Sequence, residues 1–358
     1  MHMADALLAP AVAATMYAAT AVTVGASVKT LKKDENAEKL PMMAVTSALV
    51  FAGQMINYTI PGTGSSGHLC GGMLLSAILG PQAGFLSMVV ILAIQALFFA
   101  DGGLLALGAN CWNMAFYGCF AGYYLIWKPI LHSRLFAAAS EKTAGRRKIL
   151  LASVLGCVLT LQLGAFSVVL ETSLSGITEL PFGPFVSVMQ PIHLAIGLVE
   201  GLITSAVLLF LYETRPELIM DVSSEHSPVQ GKHSLKSTLI VLTLVVAVVG
   251  GGLSLLASSN PDGLEWSMFG NTDAGYSENM GLDEEHYGTS SNAAEAAASI
   301  QDKTAFLPDY AFADSDSAAG TTVSGLVGSA MVAAAAALVC LAGGFFRKKK
   351  TGAKNKVL

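Results

Sequence analysis

Nine stretches of this chain are apolar nearly all round, and polar residues gather between them. The stretches run near 4–26, 42–58, 70–81, 84–100, 103–127, 149–170, 187–212, 238–257 and 322–346. A bilayer core is crossed by roughly 20 apolar residues in a helix, so most of these are predicted spans. The third is short and stops at Gly80-Pro81. Its length predicts a half-helix, a device that builds sites at membrane depth.

Composition agrees with this pattern. Hydrophobic residues make up 53% of the 358 and charged residues only 13%, about half the share of a soluble domain. The fold class expected is an all-α integral membrane protein. Net charge is −5, but its placement says more than its sum. Nineteen of the twenty Lys and Arg fall in alternate connections, at 29–39, 128–148, 215–236 and 347–356. Nine spans put all of them on one face, and the positive-inside bias makes that face cytoplasmic. The N-terminus is then outside and the C-terminus inside, in a multi-pass protein of the cell membrane.

The start MHMADALLAP could open a cleaved signal peptide, with AVAA at 11–14 as the cleavage site. A signal peptide carries positive charge ahead of its apolar run. Here Asp5 stands there instead, and an uncleaved, outward-facing terminus is expected. Four units follow: a bundle over 1–213, a cytoplasmic linker over 214–236, a second part over 237–350 with two spans, and a basic tail over 351–358. The two late spans flank an outer segment, 258–321, with twelve acidic residues and one lysine. Rich in Ala, Ser, Gly and Asp, it reads as a solvated tether with little packed core. A field that concentrates cations at the outer mouth is the sharper alternative.

The terminus itself is candidate chemistry. The Met1 amine, the His2 amide nitrogen and His2 Nδ1 can bind one metal ion through two small fused chelate rings. Three nitrogens then lie in a plane, and a fourth completes a square that suits Ni(II) or Cu(II). Tetrahedral Zn(II) fits poorly. Amine and amide must lose protons, so binding weakens as pH falls. The loop QMINYTIPGTGSSGHLCGG, residues 54–72, is flexible enough to fold back into a cavity, and His68 on the same outer side is the natural fourth nitrogen. Without His2, His68 would read as an ordinary structural hydrogen-bonder. Met3 and Met73 are soft donors in principle and packing residues by base rate. Gln54 and Asn57 share a face beside the loop. They could support His68 from behind or hydrogen-bond between helices. His193 and Glu200, two turns apart within a span, read as bundle structure. Ala14, Ala18, Ala21 and Gly25 form a close-packing stripe for the bundle or for a partner. The five cysteines, with no CxxC pair, read as packing residues.

Several classes are disfavoured. The chain has no nucleic-acid motif, no GxxxxGK[ST] phosphate loop and no HExxH, and no GxSxG elbow. An intramembrane metalloenzyme would need an open metal position with a base beside it, and Glu200 has no paired ligands to serve it.

MHMADALL, GQMINYTIPGTGSSGHLCGG, QALFFADGGLLALGANCWNMA and PIHLAIGLVEGLIT together resemble the CbiM/NikM proteins, substrate-binding components of energy-coupling-factor transporters for cobalt and nickel. The likeness covers roughly 1–215. SNPDGLEW, at 259–266, resembles the PDGLE module of the companion N component, fused behind. The resemblance implies a seven-helix bundle with an extra N-terminal helix. It implies metal held by Met1, His2 and His68, and no prosthetic group. It also implies a T-type membrane coupling protein and cytosolic ATPase subunits as partners. Met3-Ala4-Asp5-Ala6 departs from the family's usual MHIPDG, which leaves the two leading metal-bearing residues unchanged. Uptake of Ni(II) or Co(II), with a lean to nickel, is the function expected. A partner-independent channel or carrier is the alternative.

Overall fold

The computed structural model describes residues 1–31, 39–222, 234–276, 279–282, 287–312 and 318–354. Lys32, Lys33, Lys232, much of the linker, the outer acids Glu278, Asp283, Glu284, Glu285, Asp314 and Asp316, and tail residues 355–358 lie outside that set. Among the described residues the architecture is almost wholly helical. Six helices are long and apolar enough to cross a membrane. The chain is a multi-pass membrane protein.

Each predicted stretch contains a helix, with displaced ends. The first helix, α1 (Pro10–Leu31), begins six residues later than expected. Proline sets its start: Pro10 has no N–H to donate and fits the first helical turn, and it biases Ala9 toward extended backbone. Residues 1–9 are thereby released from the span, with only a 3-10 turn at Asp5–Leu7. α2 (Lys39–Gln54) stops before the loop and a short hairpin, β1 (Tyr58–Ile60) with β2 (Ser65–Gly67), pairs Thr59 with Ser66.

The short third stretch is α3 (Gly72–Leu79), eight residues and wholly buried. Gly71 before it has φ +83°, and a Cβ there would meet Val50 Cγ1 at 2.4 Å. Only glycine accepts both the left-handed backbone and the close approach. α4 (Pro81–Phe99) follows directly. Next, α5 (Leu107–Asn110), a π-wound stretch over Cys111–Trp127 and α6 (Lys128–His132) run on as one rod. α7 (Glu141–Leu174) and α8 (Phe182–Thr214) pack along each other, and α7 also packs on the π-wound stretch. α9 (Leu235–Gly251) and α12 (Ala318–Lys354) lean on α2 and on each other.

The tether expected over 258–321 is overturned where the segment is described. It folds against the end of the bundle that holds the N-terminus. α10 (Gly263–Phe269) packs on α8 and β2, and α11 (Asn292–Thr304) packs on α4 and the Asp5–Leu7 turn. Ser66 N–H donates to the Pro261 carbonyl at 2.8 Å, Ser258 N–H to Asn57 at 2.7 Å and Thr289 N–H to Ala6 at 2.8 Å. The reason is borrowed packing. The segment has few apolar residues, but Leu264, Met268 and Leu307 are buried against a core that other elements supply.

Candidate metal centre

The first nine residues thread inward instead of extending α1. Asn110 grips Met3 as a strand neighbour would. Its Oδ1 accepts from the Met3 N–H at 2.8 Å, and its Nδ2 donates to the Met3 carbonyl at 3.2 Å. Gly103 N–H donates to the same carbonyl at 2.9 Å, and Asp5 Oδ1 accepts from the Ala106 N–H at 3.0 Å. Met3, Leu7 and Leu8 are completely buried, each contributing about 1.5–3 kcal/mol of burial. An anchored Met3 leaves Met1 and His2 little freedom. Gly102, at φ +79°, passes close to the His2 Cβ, where a side chain would crowd the ring.

The His68 loop is held from two sides. Glu200, inside α8, accepts from the Cys70 and Gly71 N–H groups at 2.9 and 3.0 Å. Gln54 Nε2 donates to the Cys70 carbonyl at 2.8 Å, and its Oε1 accepts from Gln95 at 3.0 Å. Gln54 thus ties the loop, two residues beyond His68, to α2 and through Gln95 to α4. The Asn57 backbone carbonyl accepts from the Ser258 N–H. Glu200 is bundle structure of a specific kind, since it fixes the loop.

These supports bring the leading residues and His68 together. The His2 and His68 rings stack with centroids 5.2 Å apart and planes 15° off parallel. His68 Nδ1 lies 3.1 Å from the Leu69 carbonyl. A carbonyl only accepts, so Nδ1 carries the proton and Nε2 keeps its lone pair. Two carboxylates complete the cluster. The Met1 amine is 2.9 Å from Asp262 Oδ2, and His68 Nε2 is 3.9 Å from the same oxygen. His2 Nδ1 is 3.1 Å from Asp101 Oδ1, and Asp101 Oδ2 accepts from the Tyr310 hydroxyl at 2.5 Å. His2 Nε2 is buried and unpartnered. The nitrogens are thus adjacent, but the amine and His2 Nδ1 each face a carboxylate instead of a common point.

Electrostatics follow from burial. Desolvation lowers the pKa of His2, with Asp101 opposing. Desolvation, the Met1 amine and His2 all lower that of His68. Both rings favour the neutral, metal-binding form. Burial disfavours the Asp262 carboxylate, but the amine, His68 and the α10 N–H groups outweigh it and hold the group ionised. Asp262 caps α10, accepting from the Leu264 and Glu265 N–H groups at 2.7 and 2.9 Å.

A small cavity opens beneath these groups, lined by Met1, His68, Cys70, Met114, His193 and Asp262 among others. Sequence reasoning missed Asp101 and Asp262 and assigned His193 to the bundle. The only local signals were an acid just past an apolar span and the Asp of the PDGLE motif.

A family model described as the cobalt uptake substrate-specific transmembrane region matches residues 2–218, more than half of the chain. The chain belongs to the CbiM family. A PDGLE domain model matches residues 236–343, so Asp262 reaches the Met1 amine from the second of two matched regions. The chain is 32% identical to the "Putative fused nickel transport protein NikMN" of Archaeoglobus fulgidus over 93% of its own length and 96% of that protein. It is 32% identical to the "Probable fused nickel transport protein LarMN" of Lactiplantibacillus plantarum, over 75% and 78% respectively. The cobalt transport protein CbiM of Sorangium cellulosum is 31% identical over 61% of this chain and 94% of that protein. A crystal structure of a transition metal transporter is 32% identical over 59% of this chain and 92% of that one, with a TM-score of 0.49.

Proposed function

We propose that this CbiM-family chain is the substrate-binding component of an energy-coupling-factor transporter that takes up Ni(II) or Co(II). The ion is the transported substrate. It is held by the Met1 amine, the His2 amide and ring, and His68. The observation that carries the reading is the burial of the leading amine and two neutral imidazoles in one site, anchored by Asn110, Glu200 and Gln54. Nitrogen-only, planar donors favour Ni(II), and the nickel transport names of the fused relatives lean the same way. To bind, the ion displaces one proton from the amine, which parts from Asp262, and one from the His2 amide, and both protons pass to solvent. His2 Nδ1 leaves Asp101 at the same time.

The functional units proposed are the bundle 1–213, the linker 214–236, the PDGLE part 237–350 and the tail 351–358. The N-terminus faces outward, in the cell membrane, because nineteen of the twenty basic residues fall in alternate connections. The sequence carries no phosphate loop, so ATP is hydrolysed by cytosolic ATPase subunits coupled through a T-type membrane protein. The chain itself is not an enzyme.

The test is metal binding by His2→Ala and His68→Ala in the purified full chain, followed by uptake into vesicles with and without the ATPase partners. Both variants should lose high-affinity Ni(II) and Co(II) binding while keeping their helical content. Normal binding by both would defeat the site, and full uptake without the partners would defeat the coupling.

A further inference from the structure

α3 is a short rod between two glycine joints. Gly71 before it and Gly80 after it both have φ +83°, a backbone that glycine adopts freely. One continuous piece of chain pins both joints. At the end beside His68, Glu200 of α8 accepts from the Cys70 and Gly71 N–H groups. At the other end, the tail of α8 returns through a 3-10 turn at Pro216–Leu218, and the Met220 N–H donates to the Ala77 carbonyl at 2.8 Å. Ala77 lies in the last turn of α3, where carbonyls have no partner within the helix. The Met220 side chain lies against the second joint, since a Cβ on Gly80 would stand 3.6 Å from its Cε.

The tail is itself gripped by the rod that runs from α5 to α6. Trp127 Nε1 donates to the Met220 carbonyl at 3.2 Å, and the Tyr123 hydroxyl, one turn earlier, donates to Asp221 Oδ2 at 2.5 Å. His132 Nε2 lies 3.8 Å from Asp221 Oδ1. Trp127 is completely buried and Ile219 nearly so. Asp221 holds φ +65°, a left-handed conformation that disfavours residues with a Cβ and persists where the surroundings over-determine it. Between its joints α3 packs backbone on backbone. A Cβ on Gly118 would stand 2.8 Å from the Gly72 Cα, and one on Gly84 2.9 Å from the Ser76 nitrogen. Interiors packed this closely transmit a displacement instead of absorbing it. A plain helix cap accounts for the Ala77 bond alone, and not for an indole, a phenol and a strained aspartate that hold the capping residue in place.

We propose that residues 216–222 clamp the His68 loop from the far end of the bundle. With the clamp closed, α3 holds the loop against Glu200 and the His68 ring stacked on His2. With it open, Ala77 is uncapped and Gly80 is free to turn. The eight-residue rod, about 12 Å long, then carries the movement to Gly71 and His68. Met220, Asp221, Tyr123 and Trp127 are positioning residues in this scheme, and release of the ion starts at the end opposite the leading amine. The link to metal rests on the site proposed above. The mechanical coupling of clamp and loop does not.

Amide hydrogen exchange on the full chain in detergent tests both. In the metal-free protein, Tyr123→Phe combined with Asp221→Gly removes the phenol–carboxylate contact and leaves a residue that accepts φ +65°. Exchange should quicken by about fivefold or more, the lower end of measured couplings between sites, in 219–222 and also in 68–72. Residues 3–8, anchored through Asn110 and Gly103, should keep their protection. Unchanged exchange in either 219–222 or 68–72 overturns the proposal, because a merely local cap opens without moving the loop. Coupling is reciprocal, so the wild type gives a second reading that needs no variant to fold. Saturating Ni(II) should slow exchange in 219–222 as well as in 68–72, and protection of 68–72 alone overturns the proposal. EDTA should strip Ni(II) from the double variant about fivefold faster than from the wild type, and equal rates overturn the link to release. His68→Ala separates the two levels. Normal Ni(II) binding by that variant defeats the site, while the metal-free comparison still decides the clamp.

Discussion

Asp101 and Asp262 do matching jobs from different parts of the chain. Asp101 follows α4 within the bundle and faces the His2 ring, braced by the Tyr310 hydroxyl. Asp262 belongs to the PDGLE region, caps a helix there and reaches across to the Met1 amine. The first carboxylate is 24% exposed and the second 16%. One holds an imidazole that is neutral by burial. The other holds a terminal charge. The contrast shows that Met1 and His2, the proposed chelating pair, face carboxylates from two different regions. Under the proposed site, docking of the 258–321 segment and loading of the amine would compete for one nitrogen. The braces also cross over, since Tyr310, which steadies Asp101, lies in the outer segment as well.

The largest effect should come from moving the amine relative to both carboxylates. One alanine inserted between Met1 and His2 enlarges the chelate ring and draws the amine from Asp262. Metal affinity should fall by about 100-fold, the scale of losing a ligand, as read by calorimetry. Unchanged affinity would mean that the imidazoles act without the amine.

Asp262→Asn comes next. A hydrogen bond to a charged group contributes about 1.5–3 kcal/mol. Its loss should speed amide hydrogen exchange in 258–270 by roughly tenfold or more, while Asn110 and its neighbours stay protected. Equal exchange in both proteins would show that the outer segment is held without the amine.

Acidification probes the same contrast with a known sign. The folded protein lowers the His68 pKa by burial first and by the neighbouring amine second. The unfolded chain therefore takes up a proton near pH 6.5 that the folded loop refuses. Stability should decline as pH falls from about 6.5 and level off below the lowered folded value. Asp262 runs at lower pH. Its folded pKa is below the ordinary value, so its contribution is complete above about 3.9 and fades only as pH drops through the folded value. Thermal unfolding of His68→Gln in detergent should shrink the first decline, of which buried His2 keeps its own share, and keep the second.

Tyr310→Phe should have the smallest effect. It removes one hydrogen bond from Asp101, worth about 1 kcal/mol, and should change metal affinity by no more than about fivefold. A loss approaching the roughly 100-fold expected of the alanine insertion would put the Asp101 brace on a par with the amine and dissolve the comparison.

Much of this was legible from residues alone. The all-helical membrane class followed from nine apolar stretches, because a chain in lipid must satisfy its backbone internally. The short α3 was visible from Gly80-Pro81. Met1, His2 and His68 were singled out by donor chemistry and by the motifs they share with the CbiM family. Pro10 also stands in plain view, and it starts the first span six residues later than expected by a purely local rule.

Tertiary structure decided what those groups face. Asp262 lies 261 residues from the amine it meets, and no local pattern encodes that distance. His193 sits in an apolar helix, and only the fold brings it to the cavity that Met1, His68 and Asp262 also line. The outer segment read as a tether because its composition cannot bury a core of its own. It folds because the bundle presents one. Covalent neighbours set helix ends, turn geometry and chelating potential, so these can be read along the chain. Counter-charges and lone-pair partners depend on which distant surfaces exclude water together, and only the assembled fold settles that.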